Sequence, residues 1–176
     1  MQSEPIGGPA VWRGQQLFET QQWPVRLTAT DLDELTAAAA STAALPLAAL
    51  SRNNFELPLL APKLVRLQAE LEEGCGAILI KGCDIERFSA SDTQRMFYGL
   101  TTHLGTAVSQ SSDGDIIFNV RDEGYKIDDV KTRGPNTSKR LNFHTDRCDV
   151  IAFLCLQQAI SGGENQIISS VAVYNQ

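Results

Sequence analysis

LNFHTDRCDVIAFLCLQQAISGGENQIISS (141–170) sets a histidine and an aspartate one residue apart, follows them with an apolar run, turns on two adjacent glycines and continues into a second mixed run. In an extended chain the side chains at i and i+2 leave the same face. The His144 imidazole and the Asp146 carboxylate can therefore converge on one ion at about 2 Å from each, while Thr145 points away. Imidazole with carboxylate suits iron, manganese or zinc, and two histidines plus one carboxylate on a single face is the ligand set of non-haem Fe(II) oxygenases. The same spacing also fits a half-exposed strand whose Asp146 pairs with Arg140 or Arg147. Spacing alone does not separate the two readings, because a two-residue match arises readily by chance.

Working outward, DVIAFLCLQ (149–157) reads as an apolar strand, SGGE (161–164) as a turn and NQIISSVAVY (165–174) as a strand passing into a helix or turn. Upstream, GAILIKG (76–82) and DIIFNV (115–120) have strand composition, LNFHT begins another strand, and the polar stretch between them is a long loop. The helices come earlier. DLDELTAAAAST predicts a helix over about 31–41, capped by Thr30 or Asp31. APKLVRLQAELEEG predicts one over about 61–73, ending at Gly74. SASDTQRMFYGLTTHLG predicts one capped by Ser91 and ending at Gly105. Helices first and strands later imply an α+β chain. Residues 1–25, rich in Gly, Pro and Gln with Trp12, Phe18 and Trp23 as spaced aromatics, are expected to form an irregular arm, with the domain proper over 26–176.

The chain has 176 residues, 43% hydrophobic and 20% charged, which fits one globular domain with a real core. A net charge of −6 with scattered Lys and Arg gives no footprint for nucleic acid and would be repelled by an anionic membrane. Its partner is expected to be a small molecule or a protein. The N-terminus has no basic-then-apolar leader and no run approaches the roughly 18 apolar residues of a membrane span, so cytoplasmic placement is expected. Cys75, Cys83, Cys148 and Cys155 form no Cys-x-x-Cys pair and read as reduced and structural, with a zinc or disulfide pairing of Cys75 and Cys83 as the alternative.

Taken together, His144-Thr145-Asp146, the run Asp149 to Leu156, the turn Gly162-Gly163-Glu164 and the segment Asn165 to Ser170 resemble the motif block of the TauD/TfdA family of Fe(II)- and 2-oxoglutarate-dependent oxygenases. Upstream, Gly74, Gly76 and AILIKG, and the helix ending HLG, are similar to that family more weakly. The resemblance implies a double-stranded β-helix, a clavaminate-synthase-like jelly roll, and an enzyme that hydroxylates a small organic molecule with O2 while decarboxylating 2-oxoglutarate to succinate. It implies His144 and Asp146 as iron ligands and as the catalytic pair. Asn165 falls where relatives carry a Thr or Ser that donates to the 2-oxoglutarate carboxylate; an Asn amide can also donate, and a plain turn residue is the alternative.

Two parts of that pattern are absent. The family's third ligand is a distal histidine, followed by an arginine for the far carboxylate of 2-oxoglutarate. Residues 147–176 hold Arg147 and no histidine, and the chain's only other histidine, His103, precedes the motif at a helix end. About five strand candidates also fall short of the roughly eight of a jelly roll. The expectation is a chain carrying only part of the site, with a catalytically inactive binding or interaction module as the alternative. A zinc hydrolase built on His144 and Asp146 is a third reading, weakened by the lack of a helix-borne Glu base. Asn119 and Tyr125 are candidates to face the site. Asp149 is a candidate either to orient His144 or to pair with Arg147.

Overall fold

The computed structural model describes residues 4–19, 24–111, 114–121 and 140–176. In chain order the elements are α1 (Gly14–Glu19), β1 (Pro24–Arg26), α2 (Ala29–Ser41), α3 (Ala61–Glu72), β2 (Leu79–Lys81), α4 (Ala90–Thr101) and α5 (Ser170–Tyr174), with single 3-10 turns at Leu47–Ala49 and Ile85–Arg87. Two compact units are formed, one from Met1–Thr106 with Ala152–Gln176 and one from Ala107–Ile151.

The three predicted helices form, and two start earlier than the composition suggested. Helix α2 begins at Ala29 because Thr28 closes a capping box: its hydroxyl accepts from the Asp31 N–H at 3.3 Å while the Asp31 carboxylate accepts from the Thr28 N–H at 2.8 Å. This corrects the expected cap at Thr30 or Asp31. In α4 the cap is Ser89 rather than Ser91, its hydroxyl accepting from the Asp92 N–H at 3.2 Å. In both cases a Ser or Thr with an acid three residues later fixes the start, since the pair satisfies free N–H groups of the first turn.

Helix α3 has no side-chain cap of its own. Glu34 of α2 supplies one from a distance, its two carboxylate oxygens each accepting a backbone N–H, from Leu59 and Leu60, at 2.7 Å. A carboxylate at the positive end of a helix is favourable as well as hydrogen-bonded. Helix α2 packs on α4. Arg95 of α4 reaches its carboxyl end, donating to the Thr42 carbonyl at 2.8 Å. Beneath lie Leu35, Phe55, Leu60 and Leu64, each at most 1% exposed. Gly99 is required there, because a Cβ would sit 2.5 Å from the Phe55 ring.

A second interaction binds α2 to α3. Lys63 donates to Asp31 at 2.6 Å, with the Asp31 side chain only 4% exposed. Burial pushes the Asp31 carboxyl up, but the Lys63 ammonium and the Thr28 N–H and hydroxyl together outweigh it and hold the group below its ordinary value.

The β structure differs from expectation. Strand β2 forms within the predicted 76–82 stretch, and its partner is β1, which straddles the end of the segment expected to be an irregular arm. The two run parallel, Val25 opposite Ile80, with α2 and α3 in the crossover. These are the only strands among the described residues, so a double-stranded β-helix is not formed by them. The runs at 115–120, 141–145 and 149–157 lie in neither helix nor strand, nor does 165–169. The physical reason is that a strand is not a local structure: its N–H and C=O groups need a neighbour on each side, and an apolar run without one cannot enter a ladder.

Candidate metal centre

His144 and Asp146 belong to the 107–151 unit. The His144 Nδ1 lies 2.7 Å from the Asn142 carbonyl oxygen, which can only accept, so Nδ1 carries the proton. In the neutral ring Nε2 is then left with its lone pair, and it faces the Asp146 Oδ1 at 4.0 Å. Two donors each about 2 Å from a shared ion stand roughly 2.8–3.3 Å apart at octahedral or tetrahedral angles, so the pair must close by about 1 Å to hold one together. Fixing the tautomer through a backbone carbonyl is also what metal-bound imidazoles commonly show. Both side chains are about half exposed. The structure therefore sets the two predicted residues 4.0 Å apart, with the His144 ring held by the Asn142 carbonyl.

The pair fits an imidazole-and-carboxylate metal site in part. Among the described residues no group of three His, Cys, Asp or Glu side chains is placed to hold an ion. His103 is not a candidate: it is buried, and its Nε2 donates to the Phe55 carbonyl at 2.8 Å. Although it stands at a helix end, its ring bonds a carbonyl 48 residues away rather than one of its own helix. The cysteines are all free. Burial pushes the Cys75 and Cys83 thiols up, with Asp84 adding to the effect at Cys83.

Asn165 falls in the other compact unit, exposed, directly after the glycine turn. Gly162 and Gly163 have φ of +77° and +76°. That left-handed conformation is one side chains rarely adopt, which explains why two glycines precede Glu164 and Asn165. Asn119 and Asp149 are exposed, and Tyr125 lies outside the described residues. Sequence reasoning missed the anchors of the Asn165 segment: Ser169, buried with its hydroxyl on the Ala10 carbonyl, and Asn175, which bonds Ile6. The one available signal was Trp12, an indole that must find a partner for its N–H when it is covered.

Comparison with known proteins agrees with this motif set. The family model "Taurine catabolism dioxygenase TauD, TfdA family" matches residues 41–176, and the chain belongs to that family. FR-33289 synthase of Streptomyces rubellomurinus is 33% identical over 175 residues, covering 98% of this chain and 52% of that protein. The taurine hydroxylase-like protein SAT17 of Stachybotrys chartarum is 32% identical over 173 residues, covering 93% of this chain and 45% of that protein. The chain thus spans about half the length of the curated relatives it matches. The family so matched is one of dioxygenases. No described helix is long and apolar enough to cross a membrane.

Proposed function

We propose that this chain carries part of the active site of an Fe(II)- and 2-oxoglutarate-dependent dioxygenase that hydroxylates a small organic molecule, with the jelly roll of its family and a cytoplasmic location. His144 and Asp146 act as two of the iron ligands, and Asn165 donates from its side-chain amide to the 2-oxoglutarate carboxylate. The observation that carries this reading is the His144 ring, protonated on Nδ1 toward Asn142 and offering Nε2 toward Asp146. Bound iron would supply the oxygen chemistry. The protein's part is to keep Nε2 aimed through the Nδ1 bond to Asn142 and to present the Asp146 carboxylate beside it. No residue after Asp146 in this chain is a histidine, so the third ligand and a cation for the far carboxylate are not assigned to it. The hydroxylase and synthase names of the two relatives support hydroxylation of a small metabolite as the reaction class.

The full-length gene product tests this. Anaerobic addition of Fe(II) and then 2-oxoglutarate should develop a weak visible charge-transfer band, and 2-oxoglutarate-dependent oxygen uptake should appear with one member of a panel of small acids. His144→Ala should lower that uptake by more than about 100-fold, beyond what loss of a ligand's supporting hydrogen bond costs. An unchanged rate would remove His144 from the metal. A second reading, an interaction module without catalysis, is favoured by the exposed apolar side chains of Val150, Ile151, Phe153 and Leu156. It predicts no band and no uptake.

A further inference from the structure

We infer that residues Ile6–Trp12 form a strap that positions the Asn165 segment for 2-oxoglutarate, with Asn175 and Ser169 as its positioning residues. The inference rests on the role given to Asn165 above. Residues 161–168 lie in no helix or strand, so their placement is set by whatever anchors them. The nearest downstream anchor is Ser169, which is 7% exposed. Its hydroxyl donates to the Ala10 carbonyl at 2.5 Å and accepts from the Ala172 N–H at 2.9 Å, so one side chain joins the strap to the start of α5.

At the far end of α5, Asn175 uses both halves of its amide on a single residue. Its Oδ1 accepts from the Ile6 N–H at 2.9 Å and its Nδ2 donates to the Ile6 carbonyl at 2.8 Å. A side-chain amide here takes the place of a strand neighbour, satisfying one donor and one acceptor of the strap. The strap is itself tied down, because Trp12 Nε1 donates to the Cys75 carbonyl at 2.8 Å, just ahead of β2. Between strap and α5 lies a cleft of about 370 Å³, with Trp12 on one side and Ile167, Ile168 and Val173 on the other. The wall of that cleft is the chain immediately following Asn165. Three bonds, each spanning more than 60 positions of sequence, thus connect residues 6–12 to the β2 approach and to the Asn165 segment.

The experiment uses the full-length gene product and two readouts, hydrogen exchange of amides 166–176 without ligands and the 2-oxoglutarate midpoint of the charge-transfer band after Fe(II) loading. Asn175→Ala should accelerate exchange and raise the midpoint about tenfold, the effect of losing two hydrogen bonds at one anchor. Fe(II) affinity, which reports on His144 and Asp146, should stay within about twofold on the same scale. Asn175→Asp keeps the acceptor for the Ile6 N–H and loses the donor, so its shift should be intermediate. Trp12→Phe keeps an aromatic group but loses the bond to Cys75 and part of the indole's bulk; it should shift the midpoint in the same direction, and it decides the matter should Asn175→Ala not fold. A raised exchange rate with an unmoved midpoint overturns the positioning role. So does a parallel loss of Fe(II) affinity. A wild-type protein that binds Fe(II) but gives no response to 2-oxoglutarate defeats the functional reading itself, a result distinct from either.

Discussion

Leu35, Phe55 and Leu64 are sealed from solvent, whereas Phe143, Phe153 and Ile160 stand in it, at 56%, 68% and 108% exposure. The two sets come from stretches with the same apolar vocabulary, one at 29–101 and one at 140–168. What differs is the backbone each composition calls for. A helix satisfies its N–H and C=O groups within itself and needs to bury only one stripe, so α2, α3 and α4 can close a core with residues close in sequence. Remote caps such as Glu34 on α3 and Arg95 on α2 then lock the helices together. A strand-forming run needs edge partners before it can bury either face, and among the described residues 140–168 find none. The helical half is therefore self-sufficient, and the half bearing the site motif is not.

The sharpest test of that difference is at Phe55, which is fully buried, stacks against Gly99 and lends its carbonyl to His103. Phe55→Ala should cost about 4 kcal/mol in urea unfolding of the 176-residue chain, because the cavity is lined by helices that cannot collapse into it. A loss under about 1 kcal/mol would mean that the helical core is loosely packed and that the contrast between the two stretches is one of degree.

A smaller effect is expected at the Asp31–Lys63 pair. Lys63→Met keeps the packing stem and removes the charge from a carboxylate that is nearly buried, which should cost about 2 kcal/mol at pH 7, the range for hydrogen bonds to charged groups. The pH dependence has a fixed sign. Asp31 is held below its ordinary value of 3.8 in the folded chain, so its contribution is present above that value and is lost as the pH falls through the lower folded one. Thermal melts at pH 7 and below pH 4 should therefore show the gap between wild type and Lys63→Met shrinking in acid. A gap that widened would place the stabilising charge elsewhere.

The same contrast explains what could be read in advance. Helices were legible because apolar period, acids in the first turn and terminal glycines are local signals; the errors of two or three residues at Thr28 and Ser89 came from choosing the wrong capping side chain. Strand β2 was legible as composition, but its pairing with Pro24–Arg26 was not, since three residues that begin with a proline carry no period and the partner lies more than 50 positions away. The nearness of His144 and Asp146 was expected from an extended strand; the segment is not a strand, and the two groups nevertheless stand 4.0 Å apart. The strap was not legible. Nothing in the sequence links Ile6 to Asn175, and only folding brings that amide and that peptide group together.

The smallest expected effect lies in the exposed stretch, and it distinguishes the two halves most directly. Phe153 is 68% exposed, so Phe153→Ser should change the stability of the 176-residue chain by no more than about 0.5 kcal/mol, as for surface positions generally, although the same kind of residue at position 55 costs several times more. Its solubility should rise, since one large apolar group leaves the surface. The identical substitution in the full-length gene product carries the opposite expectation if strands from elsewhere in the polypeptide cover this run: there the cost should approach the 3–5 kcal/mol typical of truncating a buried aromatic side chain. Equal and small costs in both proteins would mean that the 149–157 run stays in solvent in the complete protein too, and its apolar character would then need a binding partner rather than a fold to explain it.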